Sequence, residues 1–301
     1  MLVYNKPPLT HPQQVDLLIK RGLSVPERER AESFLKRVNY YRLSAYCIPF
    51  EKQRHKFAAN ATFDDIQHLY EFDRQLRFLM DEALEMIEVN VRSVISYHLA
   101  HMHGSFCHEN KDIFYFGFDF PLWINKMHEE ILRSKETFVK HYRETYKGFP
   151  VIPIWMAVEV MSFGAVSTLY HNLLRNEQIT ISRALGLHSE VLSSWLHTFT
   201  YVRNICAHHS RLWNRELAIA LKTPKNAEWN NVNTKRVFSV ILAINHMLHS
   251  VSSETKIHAV WHAEMSGLLQ SITDKVYFAK AMGIPENFTT HPLWNMKTTL
   301  I

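Results

Sequence analysis

The sequence predicts an all-α fold, and three observations carry that expectation. Only eight glycines and eleven prolines stand in 301 residues, too few for the tight turns of a sandwich, barrel or propeller, and no fixed-period repeat is present. Apolar residues make up 47% and charged residues 21% of the chain, enough for a substantial core and unlike a disordered segment. From Thr62 to His103 there is neither proline nor glycine, while Leu69, Phe72, Leu76, Leu79, Ala83, Ile87, Val91 and Val94 recur at spacings of three and four. That is the period of one very long amphipathic helix, over about 63–103.

The remaining elements follow in chain order. Thr10 before His11 and Pro12, with Val15, Leu17, Leu18 and Leu23 behind it, predicts a short capped helix. Ser24 and Pro26 repeat the signal for a second helix through Ala31, Phe34 and Leu35 to Val38, followed by the aromatic run Asn39-Tyr40-Tyr41-Arg42. Tyr40, Tyr41 and Arg42 read either as an aromatic packing corner or as a platform for bases. Glu51 to Asn60 is polar and reads as a loop. Gly104 ends the long helix, Leu122 to Tyr146 reads as another, and Pro153 opens a nearly all-apolar helix running through Phe163 to Leu169. Ser189 caps a helix through Trp195, Phe199 and Val202, and two more are expected over 237–251 and 257–272, with a coiled tail held by Trp294. Trp155, Trp195 and Trp261 are expected in the core. No linker divides the chain, so residues 1–60 are expected as an N-terminal helical accessory segment on a main domain over 61–301, in one compact unit.

The net charge of +5 is mildly basic, not that of a nucleic-acid arm. Cys47, Cys107 and Cys206 are odd in number and lack CxxC spacing, so neither a disulfide framework nor a cysteine zinc site is indicated, and a reducing cytoplasm is expected. There is no basic-then-apolar leader and no run of about 18 apolar residues, so a soluble, unprocessed chain without membrane contact is expected. His101, His103, Cys107 and His108 contain ligand types without zinc-site spacing, and no metal or other cofactor is expected. The common nucleotide, zinc-protease and serine-hydrolase motifs are absent.

An Arg followed four to six residues later by His is the signature of HEPN ribonucleases. Seventeen arginines and 19 histidines in 301 residues yield about three such pairs by chance, and three arginines qualify: Arg92 with His98, Arg183 with His188, and Arg203 with His208 and His209. Spacing alone decides nothing. Around Arg203, however, Asn204, His208, Arg211 and Arg215 fall on one face if the helix continues. Guanidinium forks suit phosphate, Asn204 can orient an imidazole, and His208 can exchange a proton with a ribose 2′-OH or a leaving 5′-oxygen. A solvated basic helix end is the plainer reading of the same residues. On an uninterrupted helix Arg203 and His208 would lie about 140° apart, so either the helix ends between them or two motifs face each other. Glu88 and Arg92 are an ordinary i, i+4 ion pair; the alternative is that Glu88, Arg92 and His98 form a second half-site.

Taken together, the segments resemble the abortive-infection family of the AbiD/AbiF type, with a HEPN-like ribonuclease domain. The elements are Lys6-Pro7, Leu9-Thr10 and Gln13-Gln14; Asn39 through Tyr46 with Pro49-Phe50; Ile87-Glu88-Val89 and Arg92; Pro153 through Met156 with Glu159 and Ser162-Phe163-Gly164; Arg203-Asn204 through Ala207-His208-His209 to Arg211-Leu212-Trp213-Asn214-Arg215; and Met282 through Asn287 with Pro292-Leu293-Trp294. The resemblance implies a HEPN-like helical bundle acting as a metal-independent, toxin-like antiviral endoribonuclease. Arg203, Asn204 and His208 would be catalytic, and His209, Arg211 and Arg215 would bind RNA. It further implies a homodimer that joins two Arg/His motifs, and an RNA partner beyond the substrate, a structured non-coding RNA antitoxin. The rival is a non-catalytic RNA-binding or protein-interaction module of the same fold.

Overall fold

The computed structural model describes residues 3, 5, 7–251, 256–273 and 275–296; Lys6 of the resemblance lies outside them. The described residues form thirteen α-helices and one two-stranded sheet, the all-α class expected. The chain divides into two compact units, Met1–Gln75 and Leu76–Ile301, and the division falls inside the long helix.

In the first unit, α1 (His11–Lys20) opens on a capping box in which Thr10 and Gln13 satisfy each other's main-chain N–H groups. It buries Val15 and Leu18. Helix α2 (Arg28–Arg37) buries Ala31, Phe34 and Leu35, and the Phe34 ring meets Phe63 and Tyr70 edge-on at 5.8 and 5.6 Å. Helix α3 (Tyr40–Cys47) begins at Asn39, whose side chain accepts from the Tyr41 N–H. Its buried Tyr46 hydroxyl donates to Asp73 at 2.6 Å. The polar stretch expected as a loop is a hairpin, β1 (Glu51–Gln53) and β2 (Lys56–Phe57). His55 makes its tight turn with φ of 65°, a left-handed conformation that His adopts more readily than most residues.

Helix α4 (Phe63–His103) is the long helix, with the expected ends. In the second unit its Leu76, Met80, Ala83, Leu84, Ile87, Val91, Ile95 and Leu99 are fully buried, each worth about 1.5–3 kcal/mol for the larger side chains. The Leu79 carbonyl accepts from the buried Trp261 indole at 2.9 Å. The single helix expected over 122–146 is two, α5 (Phe120–Arg133) and α6 (Thr137–Thr145), because Ser134 turns extended at the end of α5. The apolar helix expected from Pro153 is likewise α7 (Ile154–Val160) and α8 (Phe163–Asn172). Ser162 separates them by accepting from the Ala165 N–H at 3.2 Å, the competition with helix that serine hydroxyls offer. Trp155 is 49% exposed rather than in the core, whereas Trp195 and Trp261 are buried.

Helix α9 (Arg175–Ala184) precedes α10 (Ser189–Ala207), which packs against α8. Helices α11 (Val237–Val251), α12 (Ile257–Thr273) and α13 (Val276–Met282) complete the unit. Buried Asn245 donates to the Leu293 and Trp294 carbonyls at 2.9 and 3.2 Å, and Trp294 stacks on His262 at 4.4 Å, so the tail is ordered by its Trp as expected. Cys47, Cys107 and Cys206 are buried thiols outside any disulfide, and burial pushes Cys47 up to about 12 and Cys107 to about 11. Among the described residues no helix is long and apolar enough to cross a membrane.

Candidate functional site

The last turns of α10 bury Phe199, Val202, Ile205 and Cys206, which leaves Arg203 partly exposed and Asn204 and Ala207 facing outward. The helix does not continue to Arg215; it stops at Ala207, with exposed His208 as its C-cap. His209 adopts φ of 54°. Its N–H reaches the Cys206 carbonyl at 2.9 Å, and that of Ser210 reaches Ile205 at 2.9 Å. These two bonds close a Schellman motif, with a histidine where glycine is usual. The single face expected for Asn204, His208, Arg211 and Arg215 is therefore replaced by a helix end followed by a turn.

That turn is pinned by Leu212 and Trp213, both fully buried. Trp213 meets Phe278 edge-on at 5.3 Å. Arg211 and Arg215 are held partly exposed on either side. Arg215 donates through Nε to the Arg211 carbonyl at 3.1 Å and through Nη1 to the Tyr201 hydroxyl at 3.4 Å, so it returns to the surface of α10 at Tyr201. Tyr201 was not among the sequence candidates; its position two residues before Arg203 was the only available cue.

Opposite stands Glu88 of α4. Its carboxylate accepts from Arg92 Nη2, and Arg203 Nε lies 4.0 Å from its Oε2. Two arginines far apart in sequence thus flank one carboxylate within a single chain. They do so unequally, for the Glu88 and Arg92 side chains are 10% and 8% exposed and that of Arg203 is 40% exposed. Arg92 Nη1 is buried without a hydrogen-bond partner. With two cations to one anion, the cluster carries a residual positive charge suited to a phosphate.

His98 does not join Arg92. The six-residue step turns it about 120° around α4, where its Nε2 lies 2.5 Å from Glu177 Oε2. His103 Nε2 sits 3.1 Å from the other oxygen of Glu177, so one carboxylate from the first turn of α9 holds two histidines of α4. No pattern in the sequence singles out Glu177. His101 contacts its own helix, at 2.7 Å from the Tyr97 carbonyl. His108 is fully buried and its pKa is pulled down to about 4, first by burial and then by the charge of His128. Among the described residues no group of three or more His, Cys, Asp or Glu side chains is arranged to hold a metal.

The family described as Abi-like protein matches residues 33–214, a stretch that holds Glu88, Arg92 and the whole Arg203 to Asn214 segment. The chain belongs to the Abi-like family. Membership supports an abortive-infection role. No curated protein and no solved structure matches the chain. Arg215 is the first residue beyond the matched stretch, and all of α1 and the first half of α2 precede that stretch.

Proposed function

We propose that this Abi-like protein is a metal-independent endoribonuclease of the HEPN type, deployed against phage and otherwise restrained. The observation that carries the reading is the convergence of Arg92 and Arg203 on Glu88, beside the exposed Asn204 and His208 at the end of α10. His208 takes the proton from a ribose 2′-OH, the 2′-oxygen attacks the adjacent phosphorus, and the bond to the 5′-oxygen breaks. The proton is returned to the leaving oxygen by an imidazolium, leaving a 2′,3′-cyclic phosphate and a 5′-OH. Arg203, the more exposed arginine, binds the phosphate and stabilises the charge that grows on it. Asn204 orients the imidazole, while His209, Arg211 and Arg215 extend the contact along the backbone, with affinity that falls as salt rises.

The second half of the site has two sources in this reading. Arg92 supplies an intramolecular guanidinium, and the second imidazole comes from His208 of a twofold mate, since His98 is engaged with Glu177. A structured non-coding RNA is the proposed restraint.

Cleavage of total cellular RNA by the wild type and His208→Ala in EDTA, with end-group analysis, tests the reading. Cleavage by the wild type alone, giving cyclic phosphate and 5′-OH ends, is the expected result. Equal toxicity of the two proteins in cells would favour a non-catalytic RNA-binding or interaction module.

A further inference from the structure

Residues 1–60 contain eleven Lys and Arg against five Asp and Glu, so this segment alone carries +6 while the whole chain carries +5. The fold gathers much of that charge at one end of the first unit. Arg21, at the C-terminus of α1, donates to the Tyr40 hydroxyl at 2.8 Å, and its carbonyl accepts from the Phe57 N–H of β2 at 2.9 Å. The end of α1, the start of α3 and the hairpin are therefore neighbours. The exposed Lys20, Lys36, Arg37, Lys52 and Lys56 lie on or next to these three pieces. The nearby acid Glu51 is occupied by Arg54 at 3.2 Å. In the first turn of α3 stands Tyr41, 86% exposed. Its main chain is fixed by the Asn39 cap at 2.7 Å and by the Ser44 hydroxyl on its carbonyl at 2.6 Å.

We infer that this end of the N-terminal unit is an RNA-binding surface, taking a single-stranded segment whose phosphates meet the lysines and one of whose bases stacks on Tyr41. A rigidly mounted aromatic among cations is the arrangement by which proteins hold unpaired nucleic acid without reading its sequence. A duplex would satisfy the lysines but offer no free base face to the ring. The surface belongs to the first unit and the Arg203 cluster to the second, and none of its residues takes part in the catalytic reading, so the inference stands whether or not the chain cleaves RNA.

The test uses the full-length protein and a fluorescein-labelled 20-nucleotide 2′-O-methyl RNA, which lacks the nucleophile and stays intact with every variant. Binding is followed by anisotropy across a salt series. Tyr41→Ala is expected to weaken binding about fivefold or more, as loss of one stacked base does, while Tyr41→Phe stays within about twofold. Lys52→Gln/Lys56→Gln is expected to lower the slope of log affinity against log salt by about one, and the same double change at the exposed Lys140 and Lys147 of the second unit to leave it in place. Heparin, a polyanion without bases, should feel the hairpin lysines and be indifferent to Tyr41→Ala. The inference is overturned if Tyr41→Ala binds RNA like the wild type. It is equally overturned if that variant loses heparin as well as RNA, or if the Lys140/Lys147 control costs as much as the hairpin pair.

Discussion

Replacing Glu88 by Leu and Arg92 by Met, singly and together, tests how the arginine cluster is held. The two side chains are 10% and 8% exposed, so removing one partner strands a buried charge at a cost of about 3–5 kcal/mol. Arg92 already has Nη1 buried without a partner, a defect on the order of 1–3 kcal/mol. Replacing both residues removes the two desolvation penalties and that defect together. The double variant is therefore expected to be at least as stable as the parent, although each single variant is weaker. Arg203 enters the same cluster on different terms. Its side chain is 40% exposed and its Nε is 4.0 Å from the carboxylate, so solvent screens the attraction and Arg203→Ala is expected to cost less than about 1 kcal/mol. Urea unfolding of the full chain, followed by tryptophan fluorescence, gives the midpoints with the slope held as a check. A double variant less stable than either single one would refute this account of the pair. So would an Arg203→Ala variant as destabilised as Arg92→Met. Under the proposed function Arg203→Ala also abolishes cleavage, which separates a stable but inactive protein from a collapsed one.

Three further outcomes are expected. His209→Gly should stabilise the chain by about 1 kcal/mol, since it relieves a side chain held at φ of 54°; no gain in thermal midpoint would show that the His209 side chain repays its conformation. His108 has its folded pKa lowered to about 4, so between pH 6.5 and 4 the unfolded chain binds a proton that the folded one does not, and stability falls as pH falls through that window. Burial pushes His246, His258, His262 and His291 the same way; the share of His108 is therefore the difference between wild type and His108→Phe, about 2 kcal/mol between pH 7 and pH 5 in paired denaturation curves. Glu177→Ala should lower stability by about 1–3 kcal/mol through release of His98 and His103 while leaving RNA affinity intact, and a large loss of affinity at unchanged stability would instead return His98 to the site.

Much of the fold was legible because helices announce themselves by period. The three- and four-residue spacing from Leu69 to Val94 marked α4 correctly, and the start of α10 was placed within one residue, although the N-cap is His188, with no side-chain cap bond, and not Ser189. The breaks were harder. Ser134 and Ser162 interrupt helical stretches with no proline to mark the break, and only the extended main chain at Ser134 and the Ser162 cap to Ala165 divide the helices. The hairpin at 51–57 carries no alternation of apolar and polar residues, and its turn uses His55 in place of Asn-Gly. At the site, Arg203, Asn204 and His208 could be named, and a helix end between Arg203 and His208 stood as one of two alternatives; nothing local selected it, because His209 fills the position that a glycine would have flagged. Glu88 and Arg92 read as an ordinary i, i+4 ion pair or as part of a second half-site. That the fold leaves their side chains only 10% and 8% exposed is encoded by no local pattern.

The three sequestered thiols make the chain its own reporter. Cys47 belongs to the first compact unit, Cys107 and Cys206 to the second, and Cys206 sits in the last turn of α10 beneath Asn204 and Ala207. Because an alkylating agent reacts with an exposed thiolate, folded protein should resist it at all three positions. Modification would then count openings residue by residue, timing the first unit through Cys47 and the end of α10 through Cys206 without any introduced label.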